Sequence, residues 1–348
     1  MSLVGLAEIA DLLSVTKQVV ANWRTRKPNF PQPVASLKSG PVWAEEAIVA
    51  WAAAEGLQVN RSVSAVFGPA PRGKPAVVAA IMNMKGGVGK STIAANLGWF
   101  AAYNKNLRVL LVDLDPQFNL SQYILGVKGY EKLIDEKEQT VEALFRSDGP
   151  ERPSAELKDL IRVIHNWNDG SCLHLVPADL ELARSMKHAL ERAHVLRDGI
   201  QDVEYRYDLV IIDCAPTESI LSWASYFAAD YIFVPVRPEF LSTIGLPLLL
   251  KSIEEFQKSH KNESAPEIGG IVFNDTSEKL EHDRSRSYVK QIANQYGFPV
   301  FANEISHSDS YPAGARAGKP IFMTENARFW KKEEFSRVAE EFFERVGL

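Results

Sequence analysis

Asn83-Met84-Lys85-Gly86-Gly87-Val88-Gly89-Lys90-Ser91-Thr92 is the stretch that decides the fold. It follows an apolar run, Ala76 to Met82, and opens an amphipathic segment, so a strand, a glycine-rich turn and a helix succeed one another. The glycines Gly86, Gly87 and Gly89 let the backbone around Val88 wrap a polyphosphate with its N–H groups. Lys90 stands where a lysine reaches β- and γ-phosphates, and Ser91, followed by Thr92, where a hydroxyl meets Mg²⁺. Lys85 is the unusual residue. A phosphate loop needs only the lysine before Ser/Thr, and a lysine on the far lip faces a nucleotide that is already neutralised. The natural use of Lys85 is therefore on the nucleotide of another subunit.

Composition sets the frame around that loop. The chain has 348 residues, more than one typical domain, with 46% hydrophobic and 24% charged residues, the profile of a soluble globular protein. Its 2 cysteines, Cys172 and Cys214, make no disulfide framework and no metal cluster, and read as reduced thiols. The N-terminus lacks the basic-then-apolar order of a signal peptide, and no apolar run approaches a membrane span, so a cytoplasmic location is expected. The net charge of −5 is unpromising for nucleic acid, but its distribution is uneven. Leu12 to Ala44 holds no Asp or Glu, and acid-free sequence runs again from Gly56 to Asp113, while acids gather in Glu131 to Asp159 and near the C-terminus.

Residues 1–56 read as a small helical unit. Leu6, Ile9, Ala10 and Leu13, then Val19, Val20 and Trp23, keep helical spacing across a break at Ser14-Val15. Small Ala10, ten places before Val20, lets two helices cross closely, the helix-turn-helix pattern, with Ser14 where glycine is usual. Thr16 is placed to cap the second helix, and Thr16, Lys17, Gln18, Ala21 and Asn22 suit base edges and phosphates. Arg24, Arg26, Lys27 and Lys38 add positive charge. The downstream Phe30-Pro31-Gln32-Pro33, the turn at Lys38 to Pro41 and Trp51 are similar to the winged helix-turn-helix of the excisionase and MerR-like group. This unit is expected to touch DNA.

Residues 57–75 read as a linker, and 76–348 as an α/β domain. Apolar runs Val77–Met82, Val109–Asp113, Leu173–Val176, Leu209–Asp213, Ile232–Val236 and Ile268–Phe273 alternate with helical patterns, which argues for a mostly parallel sheet covered on both faces. One amphipathic helix is expected to carry Leu182, Met186, Ala189, Ala193 and Leu196, with His188 and His194 on its surface, and Glu131 to Asp159 is expected as surface helix and loop. Asp113 and Asp115 end one strand and Asp213 another. A carboxylate near a γ-phosphate can hold an attacking water or bind Mg²⁺ through water, and ligands in such folds lie beyond the carboxyl ends of strands.

The ordered set Lys85–Thr92, Asp113–Gln117 and Asp213–Pro216 resembles the deviant Walker A, switch and Walker B motifs of the ParA/MinD ATPases. The resemblance continues through Leu175–Leu180, Val234–Glu239, Gly245-Leu246 and Gly318–Ile321 and covers about Ala76 to Leu348; Met84 departs from a strict Walker A glycine. It implies a P-loop fold and an ATP-sandwich homodimer. Lys90 and the loop would hold ATP, Lys85 would reach the partner's phosphates, and Ser91 would ligate Mg²⁺ with Asp113 and Asp213 nearby. Asp115 would orient the attacking water, and the adenine would lie near Asn274 and the segment from Pro235 to Pro238. With its N-terminal unit the chain is most similar to larger plasmid-partition ParA proteins, which implies DNA cargo, a ParB-like adaptor, slow ATP hydrolysis, nucleoid association and repression of its own operon.

Three other readings stand beside it. A MinD-like positioning ATPase would end in a basic amphipathic membrane helix, but here Phe335, Val338, Ala339, Phe342, Phe343 and Val346 form an apolar face whose polar flanks are as acidic (Glu333, Glu334, Glu340, Glu341, Glu344) as basic (Lys331, Lys332, Arg337, Arg345), so packing on the core and no membrane partner are expected. An ATP-switched transcription regulator fits the same motifs. An iron–sulfur reductase fails for want of bridging cysteines. One departure weakens simple bulk-DNA binding: Glu304 to Ser310, where partition relatives carry arginines, has no Lys or Arg, leaving Arg316 and Lys319, or Lys279, Arg284, Arg286 and Lys290.

Overall fold

The chain from β4 (Val77–Ile81) onward is a sheet built outward from that strand. The structure, a computed structural model, describes residues 3–13, 15–37, 40–55, 57, 73–146, 155–185, 192–239, 245–260 and 265–348. By packing, the chain divides into two units, Met1–Gly68 and Pro69–Leu348, with the division inside the stretch read as linker.

In the first unit β1 (Leu3–Val4), β2 (Ala35–Leu37) and β3 (Gly40–Ala44) form an antiparallel sheet in the order β1-β3-β2, with helices α1 (Leu6–Leu12), α2 (Lys17–Arg26) and α3 (Glu45–Ala54). The unit is thus mixed rather than α-helical, because the short strand before α1 pairs with β3. Ile9, Ala10, Val20, Phe30, Trp43, Ile48 and Trp51 make its core. Thr16 caps α2 through its side chain, which accepts from the Val19 amide at 3.4 Å. Ser14, Lys38 and Ser39, and with them the turn residue and one predicted DNA contact, lie outside the described residues.

In the second unit β4 is followed by α4 (Lys90–Asn104), β5 (Arg108–Leu114), α5 (Asn119–Asp135), α6 (Glu142–Phe145), β6 (Arg162–Asn166) and β7 (Cys172–Val176). Then come α7 (Leu182–Ser185), α8 (Val195–Gln201), β8 (Leu209–Cys214), α9 (Ile220–Ala228), β9 (Tyr231–Val236) and α10 (Leu246–Ser259). The chain closes with β10 (Glu267–Thr276), α11 (Leu280–Tyr296), β11 (Ile305–Ser306), α12 (Ser310–Ala317) and α13 (Phe329–Val346). The sheet order is β11-β10-β9-β4-β8-β5-β7-β6, parallel except for β6 on its edge. Every residue of β5, β7 and β8 is buried, the signature of strands covered on both faces. Residues Phe335, Val338, Ala339, Phe342, Phe343 and Val346 of α13 are all buried, and Phe342 packs on Phe233 with ring centroids 4.5 Å apart.

Two expectations are corrected. Leu182–Ser185 and Val195–Gln201 are separate helices with Ala193 and His194 in a turn, so Leu182, Ala193 and Leu196 do not share one helix; residues 186–191, including Met186, His188 and Ala189, lie outside the described residues. The segment from Glu131 to Asp159 is not all surface, since Val141 to Phe145 are buried and the Val141 amide bonds to the Pro177 carbonyl at 2.8 Å.

Candidate nucleotide site

Strand β4 lies between β8 and β9, and the chain leaves it toward β5 on one side while β9 to β11 extend on the other. Its carboxyl end is therefore a point where strand order reverses, the place where open α/β sheets bind ligands. The 83–92 loop sits there. Gly87 (φ 75°) and Gly89 (φ 93°) both adopt left-handed backbone, and Gly89 begins α4, so the loop turns its amides toward a helix N-terminus. A Cβ on Gly89 would meet the Asn274 amide at 2.1 Å. The Asn274 side chain is that close because its Nδ2 donates to the Val88 carbonyl at 2.8 Å.

The two lysines are treated differently. Lys90 is 5% exposed, with Nζ 3.4 Å from the Lys85 carbonyl, beneath the loop. Lys85 is on the rim, its side chain 34% exposed and its Nζ 4.0 Å from the Glu239 carboxylate. Asn83 holds the rim in place: its Oδ1 accepts from the Lys85 amide at 2.9 Å, while its Nδ2 donates to the Pro235 carbonyl at 2.7 Å. Pro235 is accordingly buried in β9 rather than at the open face. Gly86 and Gly87 are exposed, Val88 is buried, and Ser91 and Thr92 are half-buried.

The register of β5 against β8 places Asp113 opposite Asp213. Both are fully buried, and they differ in what they touch. Asp113 Oδ2 accepts from the Ser121 amide at 2.8 Å and its hydroxyl at 2.6 Å, and Oδ1 accepts from the Asp115 amide at 3.1 Å. Burial raises its pKa to about 7 against those hydrogen bonds. Neither oxygen of Asp213 has a hydrogen bond of ordinary geometry among the described residues. Burial first, and then the charge of Asp113, push its pKa well up, while the Ser91 hydroxyl and Lys90 favour its charged form. Asp115 is 3% exposed, its pKa raised by burial and drawn back by the Gln117 amide and Lys90. A buried carboxylate of this kind is costly as an anion unless it keeps a proton or a cation completes it. No cluster of three or more His, Cys, Asp or Glu forms a cation cage among the described residues.

Three side chains the sequence did not single out link the site to the elements around it. Ser121 orients Asp113 and also accepts from the Ala178 amide at 2.9 Å. Asn96 on α4 and Tyr123 on α5 are both buried and bonded to each other at 3.0 Å. In sequence they are ordinary positions of amphipathic helices, and only the tertiary packing marks them.

The predicted DNA contacts fall in two places. On α2, Lys17, Gln18, Asn22, Arg24 and Arg26 are exposed together with Thr16. Lys27 is committed within the unit, ion-paired with Glu55 and lying 5.5 Å from the Trp51 ring centroid. In the second unit Arg286 is held by Glu304 and Asp283, both at 2.8 Å, which leaves Lys279 just before α11, Arg284 and Lys290 on it, and Arg316 and Lys319 near the end of α12 as exposed cations.

Comparison with known proteins follows the same outline. A family described as an AAA domain matches residues 76–265. The chromosome-partitioning ATPase Soj of Treponema pallidum is 30% identical over 76% of this chain and 96% of its own length. The sporulation initiation inhibitor protein Soj of Bacillus subtilis is 34% identical over 71% of this chain and 90% of its own. Among solved structures, a plasmid partition protein from Borrelia burgdorferi bound to AMPPNP superimposes with a TM-score of 0.60 at 22% identity, covering 78% of this chain and all of that one, which supports the fold.

Proposed function

The chain belongs to the ParA/MinD family of P-loop ATPases and is related to partition ATPases, and on that premise we propose that it is an ATP-driven dimer switch that acts on DNA. One observation carries the reading: Lys90 lies buried beneath the phosphate loop, whereas Lys85 stands on its rim, pinned through its amide by Asn83. Lys90 serves the chain's own ATP. Lys85 is on the side a partner would approach.

In this reading the amides from Gly86 to Thr92 cradle the phosphates, and Asn274 buttresses the loop from behind through Val88. Ser91 and Asp213 hold Mg²⁺, which when bound neutralises phosphate charge during hydrolysis. Asp115 orients the attacking water, and Asp113, with both oxygens already used, positions the Asp115 turn. Lys85 of each subunit adds a positive charge to the other's nucleotide, where charge develops as the phosphoryl group leaves. The N-terminal unit supplies DNA contact through the exposed side of α2, and a ParB-like adaptor, a nucleoid location in the cytoplasm and repression of the chain's own operon complete the partition account. A membrane-positioning role is disfavoured by α13, whose apolar face is buried in the core. No described helix is long and apolar enough to cross a membrane.

The test is binding of the full chain to its own upstream DNA and to random DNA with ADP, with ATP and with neither. Upstream binding favoured by ADP and random binding favoured by ATP are expected. Lys17→Ala/Arg26→Ala should flatten the dependence of log affinity on log salt by about 2, one unit per lost phosphate contact. Unchanged salt dependence would remove α2 from the interface.

A further inference from the structure

The first two turns of α5 are bracketed by two left-handed backbone positions. Phe118, just before the helix, has φ 47° and ψ 30°, a conformation uncommon for a residue with a side chain. It is held there by stacking on Tyr130, ring centroids 4.9 Å apart, and by donation from its amide to the Asp115 carbonyl at 2.8 Å. At Gly126 the helical geometry breaks, with φ 67° and ψ 170°, a region open essentially to glycine alone. A Cβ there would meet nothing within 4 Å, so the glycine serves the backbone conformation and not a close approach. Residues 119–125 are thus a short helical piece with a bend at each end.

This piece touches both the carboxylates of the nucleotide site and a distant turn. Ser121 grips Asp113 with its amide and its hydroxyl. Two residues on, the Tyr123 hydroxyl accepts from Asn96 Nδ2 at 3.0 Å and donates to the Lys319 carbonyl at 3.1 Å. Asn96 Oδ1 in turn accepts from the Ile321 amide at 2.7 Å, and its Nδ2 also donates to the Thr92 carbonyl at 2.8 Å, in the first turn after the phosphate loop. The turn so gripped follows α12 and is itself tight: a Cβ on Gly314 would lie 2.6 Å from the Lys319 carbonyl. Arg316 and Lys319 are exposed beside it.

We infer that residues 119–125 act as a rocker between the nucleotide site and the 314–321 turn, with Tyr123 as the positioning residue that passes a shift of the Asp113–Asp115 strand end to Lys319. The physical basis is a rigid helical piece with bends at both ends and hydrogen bonds at both contacts. Displacement of Asp113 carries Ser121 with it, and the buried Tyr123 hydroxyl cannot leave Lys319 without stranding a polar group. The inference rests on the nucleotide reading above, because it concerns how occupancy of that site is felt elsewhere. Its consequence is that ATP binding sets the position of Arg316 and Lys319.

Hydrogen exchange at residues 314–321, read by mass spectrometry on the full chain with and without Mg²⁺ and AMPPNP, tests it, with nucleotide affinity measured on the same sample. In the native chain nucleotide should change exchange at the Ile321 amide by about fivefold or more. Tyr123→Phe, which keeps the ring and removes the bridge, should bring that nucleotide-dependent ratio to about 1 with affinity for AMPPNP kept within about twofold. A Tyr123 of merely structural importance would speed exchange equally in both states and leave the ratio unchanged, which would overturn the inference. Should Tyr123→Phe not fold, Gly126→Ala, which cannot hold the bend, is read in the same way. A native chain that binds AMPPNP with no change at 314–321 overturns the rocker alone, and one that binds no nucleotide overturns the rocker and the nucleotide reading together.

Discussion

Strands β5 and β8 run side by side, and their two ends hold opposite solutions to buried charge. At the amino end, Arg108 is fully buried against Asp208, which accepts from the Arg108 amide at 2.8 Å and from its guanidinium at 3.3 Å. At the carboxyl end of the same pair, Asp113 faces Asp213, two acids in register, and Asp213 has no partner of ordinary geometry among the described residues. One end neutralises its charges within the fold. The other sets two carboxyl groups in register, a cost relieved by a retained proton or by an arriving cation. The contrast separates what the sheet needs in order to stand from what it keeps for a ligand.

The largest expected effect lies at the satisfied end. Asp208→Ala takes the carboxylate away from the buried Arg108 guanidinium and should lower unfolding free energy by about 3–5 kcal/mol in denaturant titration. A loss under about 1 kcal/mol would mean that the pair is not a structural lock. At the other end the sign reverses. Asp213→Asn should stabilise the nucleotide-free chain at pH 8, read by denaturant titration, and lower Mg²⁺-dependent ATP turnover by about tenfold or more.

The pH dependence follows from the raised pKa values. A carboxylate with an ordinary value near 4 in the unfolded chain and about 7 for Asp113 in the fold binds its proton more tightly when folded. Stability then falls as pH rises from about 4 to about 7, because over that window the unfolded chain has released protons that the fold retains. Thermal unfolding without nucleotide should show this slope, and Asp213→Asn should flatten it; a rising slope in the native chain would contradict the like-charge pair. The smallest effect belongs to the residue that orients the acids. Ser121→Ala removes one hydrogen bond to Asp113 and one from the Ala178 amide, at about 1–2 kcal/mol in denaturant titration, and a change within about 0.3 kcal/mol would show that Asp113 does not depend on it.

Much of this arrangement is readable before folding. The phosphate loop, the three strand-end aspartates and the six buried positions of α13 announce themselves by spacing alone, since each is a local pattern read over a few residues. What escapes is set by tertiary contact. Strand β6, Arg162–Asn166, lies on the sheet edge, half-buried to exposed, so its sequence lacks the unbroken apolar run of the buried strands. Strands β1 and β11 are two residues each and exist only through their partners. The helix expected across Leu182 to Leu196 breaks although its spacing is helical, because Ala193 and His194 turn before α8. Around the site, Ser121, Asn96 and Tyr123 carry no local signal, because their partners are 8, 27 and 196 residues away.

The central claim is that Lys85 acts on the nucleotide of a second subunit, and sedimentation velocity of the full chain with Mg²⁺ and AMPPNP tests it most directly. The native chain should sediment as a dimer with nucleotide and as a monomer without it. Lys85→Ala should bind the nucleotide with affinity within about threefold of native and remain monomeric. A Lys85→Ala chain that dimerises with AMPPNP as fully as the native one would contradict the account.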